Sequence, residues 1–168
     1  MSVMEKVKSY VGVYSEGDVR SLLHGDHEEI TALTRTIASD ESKPTRVAAF
    51  ERLMPFLTAH ARAEELAVYN PLIALKGSPD SHALGNEGFV EHSLVDVLLE
   101  RLAKTDLAGT DAWKAHAKVL EEMLEHHIKE EERELFEELG EHFSDERRVA
   151  MGADFEAKKR KVARRMPS

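Results

Sequence analysis

A histidine followed four residues later by a glutamate occurs twice in this sequence, and this is its most informative chemical pattern. The two copies are His60-Ala-Arg-Ala-Glu64 and His127-Ile-Lys-Glu-Glu131. Residues four apart on an α-helix point in nearly the same direction, so one turn presents an imidazole nitrogen and a carboxylate oxygen to one target. Such nitrogen and oxygen donors suit iron or manganese, and zinc also accepts them.

A single histidine, preceded by an acid, lies upstream of each pair: Asp26-His27 in the first half of the chain and Glu91-His92 in the second. The single histidines are 65 residues apart and the paired histidines are 67 apart, so the sequence contains two copies of one half-site. A carboxylate can bridge two cations that lie roughly 3.5–4 Å apart. The duplication therefore predicts a dinuclear centre bridged by Glu64 and Glu131. The imidazoles for this centre are those of His27, His60, His92 and His127.

The positions of Glu64 and Glu131 separate them from the other acids of the chain. Glu131 falls between Ile128 and Leu135 on an apolar helical stripe, and Glu64 occupies the equivalent place in its own helix. A carboxylate on such a stripe faces the core, where an unpaired charge is costly unless it finds a partner or binds a cation. The neighbouring acids are interpreted instead as a solvated face; these are Glu65, Glu130 and Glu132.

Asp26 and Glu91 have two interpretations. A ligating imidazole usually donates its second ring N–H to a carboxylate, and these acids could accept such bonds across helix interfaces. Each could equally be an ordinary acid on a helix flank. Two other histidines are predicted to lie away from the centre: His126 points about 100° away from His127, and His116 lies about 16 Å along the helix from it.

Hydrophobic periodicity predicts helices nearly everywhere and no convincing strand. Apolar residues recur at spacings of three and four in five segments, which we predict to be helices over about 18–39, 44–75, 82–104, 111–140 and 144–164. Pro55 and Pro71 interrupt the second segment, and each should bend or end the helix locally. Residues 76–80 are predicted to be a loop. The expected fold is all-α, an antiparallel four-helix bundle with an additional C-terminal helix.

The chain of 168 residues is long enough for one domain with its own core. We predict an N-terminal segment over 1–16, the bundle over 17–141, and a C-terminal helix with a basic tail over 142–168. The sequence has no cysteine, which excludes disulfide scaffolds, thiolate zinc sites and cysteine-ligated iron–sulfur clusters.

Charge and hydropathy limit the partners. The formal net charge of −9 argues against nucleic acid, because such binding depends on neutralising phosphates with Lys and Arg. Residues 158–165 hold six basic residues in eight; we interpret them as a solvated last helical turn that complements the helix dipole, with contact to an anionic surface or partner as the alternative. No secretory signal and no apolar run of ~18 residues is recognisable. We therefore predict a cytoplasmic protein with neither a membrane nor a nucleic-acid partner.

Residues 18–141 resemble the hemerythrin-like, or HHE cation-binding, family of helical bundles. The resemblance rests on Asp26-His27, His60-x-x-x-Glu64, Glu91-His92 and His127-x-x-x-Glu131. It implies two iron ions, oxo- or hydroxo-bridged, inside a four-helix bundle. By position, the ligands would be His27, His60, Glu64, His92, His127 and Glu131. It also implies small-molecule partners, since family members are associated with O₂ binding, oxygen or iron sensing, and peroxide or nitric-oxide chemistry.

The chain departs from the oxygen-carrying hemerythrins in two ways. The carriers have a second histidine one turn before the one that matches His92, and this chain has Gly88 there. Their last ligand is an aspartate five residues after its histidine, whereas Glu131 lies four residues after His127. The departure leaves a position for peroxide, for a substrate oxygen, or for a replacement ligand. The candidate replacements are His24, Tyr10 and Tyr14.

Three functional hypotheses follow. The first is redox chemistry at a di-iron centre, directed at peroxide, NO or O₂. The second is a non-catalytic module that binds or senses oxygen or iron, in which occupancy shifts helix packing. The third is a bundle that only contacts other proteins and whose buried histidines are structural. Oxygen evolution from peroxide separates the first from the second, and failure to retain metal favours the third.

Overall fold

The structure, a computed structural model, describes residues 14–166. The α-helices are α1 (Val19–Ser39), α2 (Lys43–Glu64), α3 (Asn70–Ile73), α4 (Pro79–Leu102), α5 (Asp111–Glu130), α6 (Phe136–His142) and α7 (Asp145–Ala163). Two π-helical turns, Glu65–Tyr69 and Glu131–Leu135, join α2 to α3 and α5 to α6, and a 3₁₀ turn, Thr105–Leu107, precedes α5. None of the described residues lies in a strand.

Four helical rods form the bundle: α1, α2 with α3, α4, and α5 with α6. Helix α1 packs on α2 and α5. Helix α4 packs on α5 and on the α2–α3 rod, so each rod contacts two neighbours around the bundle. Short connections join consecutive rods, so neighbouring rods run antiparallel. The predicted all-α fold, an antiparallel four-helix bundle with an additional C-terminal helix, is confirmed.

Polar side chains cap the starts of four helices. Asp18, Ser42, Thr110 and Ser144 each accept a hydrogen bond from a backbone N–H in the first turn of α1, α2, α5 and α7 respectively. A cap of this kind satisfies a donor that the helix itself leaves unpaired. The caps therefore help to fix where these helices begin. The start of each helix in turn sets the level along the bundle axis at which its side chains meet those of the neighbouring helices.

Of the two outcomes predicted at Pro55, a bend or an end of the helix, the structure excludes the end, and it also moves one predicted loop boundary. Pro55 lies inside α2 and does not end it. The residue is on the exposed side of the helix, where water can satisfy the carbonyl that loses its partner. Similarly, α4 begins at Pro79, within the segment predicted as a loop. Proline suits the first helical turn because its missing N–H would have had no partner there.

Buried apolar side chains form two clusters, one towards each end of the bundle. The larger cluster lies near the α4–α5 connection and includes Leu53, Leu102 and Leu120. The second lies at the opposite end and includes Leu23 and Leu139. Each leucine buried in this way contributes about 1.5–3 kcal/mol. Between the two clusters lies a band of buried polar residues, and the apolar layers hold it away from solvent on both sides.

The C-terminal helix α7 packs along α1 and α2. Its Phe155 side chain completes the second apolar cluster, and Arg148 forms an ion pair with Asp18 at 3.0 Å, which ties α7 to the start of α1. A Cβ atom on Gly152 would lie 2.1 Å from the carbonyl oxygen of Gly17, so glycine is needed for this close approach. The additional helix is thus an integral part of the packed structure.

Residues 1–13, which make up most of the predicted segment 1–16 and include Tyr10, lie outside the described residues. The predicted boundaries of the three regions stay predictions. Within residues 14–166, no helix combines the length and the apolar character needed to cross a bilayer.

Candidate metal centre

Each rod of the bundle contributes one buried histidine to the polar band. His27 comes from α1, His60 from α2, His92 from α4 and His127 from α5, and each is no more than 4% exposed. In α1 the histidine lies one turn after Leu23, so the apolar stripe that buries the helix also buries the imidazole. All four histidine side chains therefore lie in the core of the bundle.

The four imidazoles form two pairs. The ring centroids of His27 and His60 are 5.3 Å apart, and those of His92 and His127 are 5.0 Å apart. The Nε2 atoms of His92 and His127 lie 3.3 Å from each other. Each pair joins the single histidine and the paired histidine of one sequence copy. The duplication seen in the sequence thus appears in space as two adjacent half-sites.

Glu64 and Glu131 lie between the two pairs. The Oε2 atom of Glu64 is 3.5 Å from Nε2 of His60 and 3.6 Å from Nε2 of His92. The Oε2 atom of Glu131 is 3.4 Å from Nε2 of His27 and 3.4 Å from Nε2 of His127. Each carboxylate therefore reaches one histidine from each half-site.

The donor atoms are close enough to surround two ions. One atom each from His27, His60 and Glu64 lie within 4.8 Å of one another, and so do atoms from Glu64, His92 and His127. Glu64 belongs to both groups. This placement matches what a carboxylate that bridges two cations requires.

Asp26 and Glu91 support the imidazoles across helix interfaces, which was one of their two interpretations. The Nδ1 atom of His60 donates to Asp26 at 3.0 Å, and that of His127 donates to Glu91 at 2.5 Å. Because a carboxylate only accepts, these bonds place a ring proton on Nδ1 and turn Nε2, the atom available to a metal, towards the centre.

The interpretation of Glu65 and Glu132 as solvated acids is wrong. The Nδ1 atom of His92 donates to Glu65 at 3.1 Å, and that of His27 donates to Glu132 at 3.0 Å. The Glu65 and Glu132 side chains are 12% and 18% exposed. The sequence signal was available, because each of these acids follows a bridging glutamate directly in both copies of the motif. Each histidine therefore has its own carboxylate acceptor.

Tyr69 is a residue of the centre that the sequence interpretation missed. Its ring is fully buried, and its hydroxyl donates to Glu131 while lying 3.2 Å from Oε2 of Glu64 and 3.4 Å from Nε2 of His92. Burial and the charges of Glu131 and Glu64 raise the pKa of Tyr69, which keeps the phenol protonated in this arrangement. The phenol oxygen is thus within reach of both half-sites.

Gly88 makes room for the Tyr69 ring. A Cβ atom at position 88 would lie 2.4 Å from Cζ of Tyr69. The position where the oxygen carriers have an additional histidine is therefore filled from a neighbouring rod by an aromatic ring. The sequence held two signals for this, the aromatic residue nine positions after His60 and the glycine one turn before His92.

The structure describes two of the three replacement ligands named from the sequence, His24 and Tyr14. His24 Nδ1 is 2.7 Å from Glu132, the carboxylate that holds His27, so His24 supports the centre from outside it. The Tyr14 ring packs against Phe136 with centroids 6.0 Å apart. Tyr10 lies outside the described residues. Among residues 14–166, the tyrosine beside the predicted ligands is Tyr69 rather than Tyr14.

The two π-helical turns bring the aromatic residues back to the core. Each turn begins directly after or at the bridging glutamate, at Glu65 in one copy and at Glu131 in the other. A π turn bonds each residue to the fifth one along, so each residue advances less than the 100° of an α-helix. Tyr69 consequently lies nearer to the face of Glu64 than a regular α-helix would place it.

Electrostatics within the band favour a positively charged occupant. Burial lowers the pKa of His127, but the charge of Glu131 and the hydrogen bond to Glu91 outweigh it and raise the pKa to about 9. For His27 burial is again outweighed, here by Glu131 and Glu132, and the pKa rises to about 10. The imidazole charges in turn hold the pKa of Glu131 below its ordinary value despite its burial. The Glu131 carboxylate thus stays ionised and is balanced by the imidazole cations.

Several buried ring nitrogen and carboxylate oxygen atoms of this band have no hydrogen-bond partner. Among the described residues these include Nε2 of His27, Oε1 of Glu64 and Oε2 of Glu131. Buried polar atoms are rarely left in this condition, and an ion is one of the accepted explanations. Imidazole nitrogens and carboxylate oxygens match the preferences of iron, manganese and zinc. The residues present therefore fit a metal centre.

A small cavity of about 20 Å³ reaches the second half-site between α4 and α5. Its wall includes His127, Glu131 and the backbone of Gly88, together with the acids Glu87 and Glu130. A cavity needs roughly 10–15 Å³ to hold one water molecule. The space therefore admits one small molecule at a time beside the predicted ligands.

The two histidines predicted to lie away from the centre do so. His126 is 64% exposed at its side chain and pairs with Glu130 at 3.3 Å. His116 donates to the carbonyl oxygen of Ala112 at 2.7 Å within its own helix. Neither belongs to the buried band.

Comparison with known proteins gives one relative and one family. The chain is similar to a DNA nickase from Nostoc sp. strain PCC 7120, with 24% identity over 149 residues, which covers 89% of this chain and 41% of that protein. The chain thus spans about two fifths of the length of this relative. No solved structure matches the sequence. The hemerythrin HHE cation-binding domain matches residues 18–139, which includes all six predicted ligands and the rods that carry them. On this match, the chain belongs to the hemerythrin HHE cation-binding family.

Proposed function

We propose that this protein holds two iron ions in the buried band and uses them to bind or transform O₂, peroxide or NO. One observation carries the proposal: two histidine pairs face two buried carboxylates, each of which reaches both pairs at 3.4–3.6 Å. The proposed ligands are His27, His60, Glu64, His92, His127 and Glu131. Iron is the metal proposed first, and manganese or zinc are the alternatives that the same donors accept.

The protein's own residues orient the donors. Each histidine is fixed by a carboxylate at Nδ1, and such partners raise the basicity of the imidazole and typically contribute 10- to 100-fold to metal affinity. The two apolar clusters exclude bulk water from both ends of the band. Bound iron ions supply Lewis acidity and electron transfer, which the side chains themselves lack.

Tyr69 and the cavity narrow the choice of small molecule. The cavity of about 20 Å³ has room for a diatomic gas or hydrogen peroxide beside the second half-site. Its wall is acidic, since Glu87, Glu91 and Glu130 contribute to it, so neutral molecules enter more readily than anions. Tyr69 supports this chemistry as a proton donor beside the cavity wall or as a phenol oxygen that completes the coordination.

Metal content and visible absorption of protein produced with iron test the proposal directly. We expect about two irons per chain and a charge-transfer band that disappears on reduction. A folded, helical protein that binds neither iron, manganese nor zinc would overturn the proposal and leave a bundle with structural histidines. Stoichiometric manganese or zinc with no iron would retain the centre and exclude the redox function in the zinc case.

Turnover and sensing are separated by a second experiment on the iron-loaded protein. Oxygen evolution from peroxide over many equivalents supports a redox enzyme. Saturable spectral changes with O₂ or NO, together with a change in helix packing followed by hydrogen exchange, support the alternative of a non-catalytic binding or sensing module. The matched control is protein carrying His127→Ala, which lacks one ligand of the second half-site.

DNA is a second candidate partner, and one surface favours it. Arg160, Lys161, Arg164 and Arg165 lie exposed on one face at the end of α7, where they line a shallow groove. The relative with 24% identity is a DNA nickase, of whose length this chain matches about two fifths. The net charge of −9 opposes this proposal.

Fluorescence anisotropy with duplex DNA across a salt series tests whether this basic surface binds DNA. Binding that is lost in a four-site glutamine variant supports contact, and no binding at low salt excludes it.

A further inference from the structure

Lys159 of α7 reaches the hydrogen-bond network of the centre from outside the matched family region, which ends at residue 139. Its Nζ atom lies 2.9 Å from both carboxylate oxygens of Asp26. Asp26 in turn accepts from Nδ1 of His60 at 3.0 Å. One continuous chain of hydrogen bonds therefore runs from the C-terminal helix to an imidazole of the first half-site.

Aromatic rings shield this ion pair from water. The Nζ atom of Lys159 lies 5.2 Å from the ring centroid of Phe155 and 5.6 Å from that of Phe56. Phe155 also packs edge-on against the His60 ring, with centroids 5.6 Å apart. The side chains of Lys159 and Asp26 are 18% and 12% exposed. In such surroundings an ion pair is stronger than on the surface, where most pairs contribute little.

The corresponding acid of the second half-site has no such cation. Glu91 accepts from His127 at 2.5 Å, and no Lys or Arg among residues 14–166 forms an ion pair with it. Of the two remaining acceptors, Glu65 pairs with Arg62 at 2.9 Å and Glu132 pairs with His24 at 2.7 Å. Glu91 is thus the acceptor whose charge is least compensated.

We propose that Lys159 is a positioning residue that holds Asp26 against His60 and thereby makes the two metal positions electronically different. Lys159 draws charge from Asp26, so His60 donates to a weakened acceptor and binds metal as a less basic imidazole. His127, bonded to the uncompensated Glu91, is the more basic ligand and lies on the cavity wall. The second half-site, which small molecules reach, is therefore the one that favours the oxidised metal. This inference rests on the proposed di-iron function.

The experiment is a redox titration of iron-loaded protein, followed by visible absorption, in the wild type and three lysine variants. Lys159→Met removes the charge, Lys159→Arg retains it, and Lys158→Met is the matched control because Lys158 pairs with Asp154 near the surface. Removing a positive charge near a metal stabilises the oxidised state. We expect the ratio of oxidised to reduced iron at a fixed potential to rise about tenfold in Lys159→Met. Lys159→Arg and Lys158→Met should stay within twofold of the wild type.

Asp26→Asn makes the test independent of helix docking. Removing the carboxylate should shift the potential in the opposite direction, and Lys159→Met should have little further effect in that background. If Lys159→Met fails to fold, Lys159→Gln removes the charge while retaining a hydrogen-bond donor. A lower melting temperature with an unchanged potential would overturn the inference and make Lys159 a structural contact only. Wild-type protein that holds no redox-active iron would overturn the proposed function, and the inference with it.

Discussion

The two halves of the bundle provide the same donors to the centre and differ in what surrounds them. Each half contributes one single histidine, one histidine four residues before a glutamate, and acids that accept from the outward ring nitrogens. In both, a π-helical turn follows the ligand pair, at Glu65–Tyr69 and at Glu131–Leu135. The shared features are those that metal coordination needs, and they fix the centre of the bundle.

The two halves differ in the residues that surround the predicted ligands. The aromatic residue nine positions after the paired histidine is Tyr69 in the first half and Phe136 in the second, and only the tyrosine brings a hydroxyl to the centre. One turn before the single histidine, the first half has the buried Leu23 and the second has Gly88. The glycine admits the Tyr69 ring and forms part of the cavity wall. The predicted ligands are therefore arranged alike in the two halves, whereas the first half alone supplies the tyrosine hydroxyl and the second half supplies the glycine on the cavity wall.

Removing one predicted ligand, in either half, gives the largest expected effect on metal content and stability. In His60→Ala or His127→Ala, metal loading at the affected half-site should be abolished, so the iron content falls from two ions to one or fewer. Breaking a buried charge pair costs about 3–5 kcal/mol, so the iron-free variants should also unfold at lower denaturant. Elemental analysis and urea unfolding check this. His126→Ala is the control, since that ring is exposed. Equal metal content in all three variants would remove the ligand assignment.

Metal affinity should rise steeply with pH, because one histidine from each half must lose a proton. The pKa of His27 is about 10 and that of His127 is about 9 in the metal-free arrangement. Below pH 9 both rings are charged, so binding releases two protons and affinity gains up to about 100-fold per pH unit. Between pH 9 and 10 the gain should level off. A zinc or cobalt titration between pH 6 and 8 measures the slope, and a flat profile would show that these rings are not displaced by metal.

The same raised pKa values predict the opposite trend for the stability of the metal-free fold. A histidine whose pKa is higher in the folded than in the unfolded state stabilises the fold fully below its unfolded value of 6.5. That contribution declines as the pH rises from 6.5 to the folded values of about 9 and 10, where the decline ends. Thermal unfolding of metal-free protein should therefore occur at progressively lower temperature between pH 6.5 and pH 10. An unchanged midpoint across this range would contradict the raised values.

Alanine at Gly88 tests whether the glycine of the second half is needed for the tyrosine of the first. The added Cβ would meet a fully buried ring at 2.4 Å, so we expect a loss of about 3 kcal/mol, the upper range for overpacking. Gly25→Ala is the matched control, because nothing lies within 4 Å of its Cβ position. Alanine in that helix interior should stabilise by about 0.5–1 kcal/mol. Urea unfolding of both variants gives the comparison, and similar effects would show that Tyr69 shifts without cost.

Much of the fold was predictable because it depends on periodic signals. The apolar stripes located the four rods and α7, and residues such as Ser144 identified helix starts. The exceptions depend on tertiary context. Pro55 remains inside a helix because its side of α2 faces water. Which helix face meets solvent is set by all the rods together, so a local signal could not decide it.

The buried histidines and glutamates of the candidate site could be found from the sequence, whereas the residues around them could not be found as readily. Spacing within one helix identified Glu64 and Glu131, because that pattern lies in the sequence itself. Glu65, Glu132 and Tyr69 contact partners on other rods, and a π turn alters the phase at which Tyr69 meets the core. These contacts depend on how two helices are shifted relative to each other along the bundle axis. Lys159 contacts Asp26 across 133 positions of sequence, which no local pattern indicates.

Exchanging the two aromatic residues should produce the smallest effect and the most specific one. Tyr69→Phe removes the hydroxyl that donates to Glu131 and leaves a buried carboxylate with one donor fewer, at a cost of about 1.5 kcal/mol in the metal-free protein. The ring stays, so packing against Gly88 is retained.

In iron-loaded protein, loss of the charge-transfer band in Tyr69→Phe would identify the phenol as a ligand. A retained band with slower reaction towards peroxide would identify it as a proton donor beside the cavity. Phe136→Tyr is the control, and it should add no band because the first half lacks the glycine that admits the Tyr69 ring. If Tyr69→Phe changes neither spectrum nor rate, the hydroxyl has no part in the chemistry and the two halves differ in packing alone.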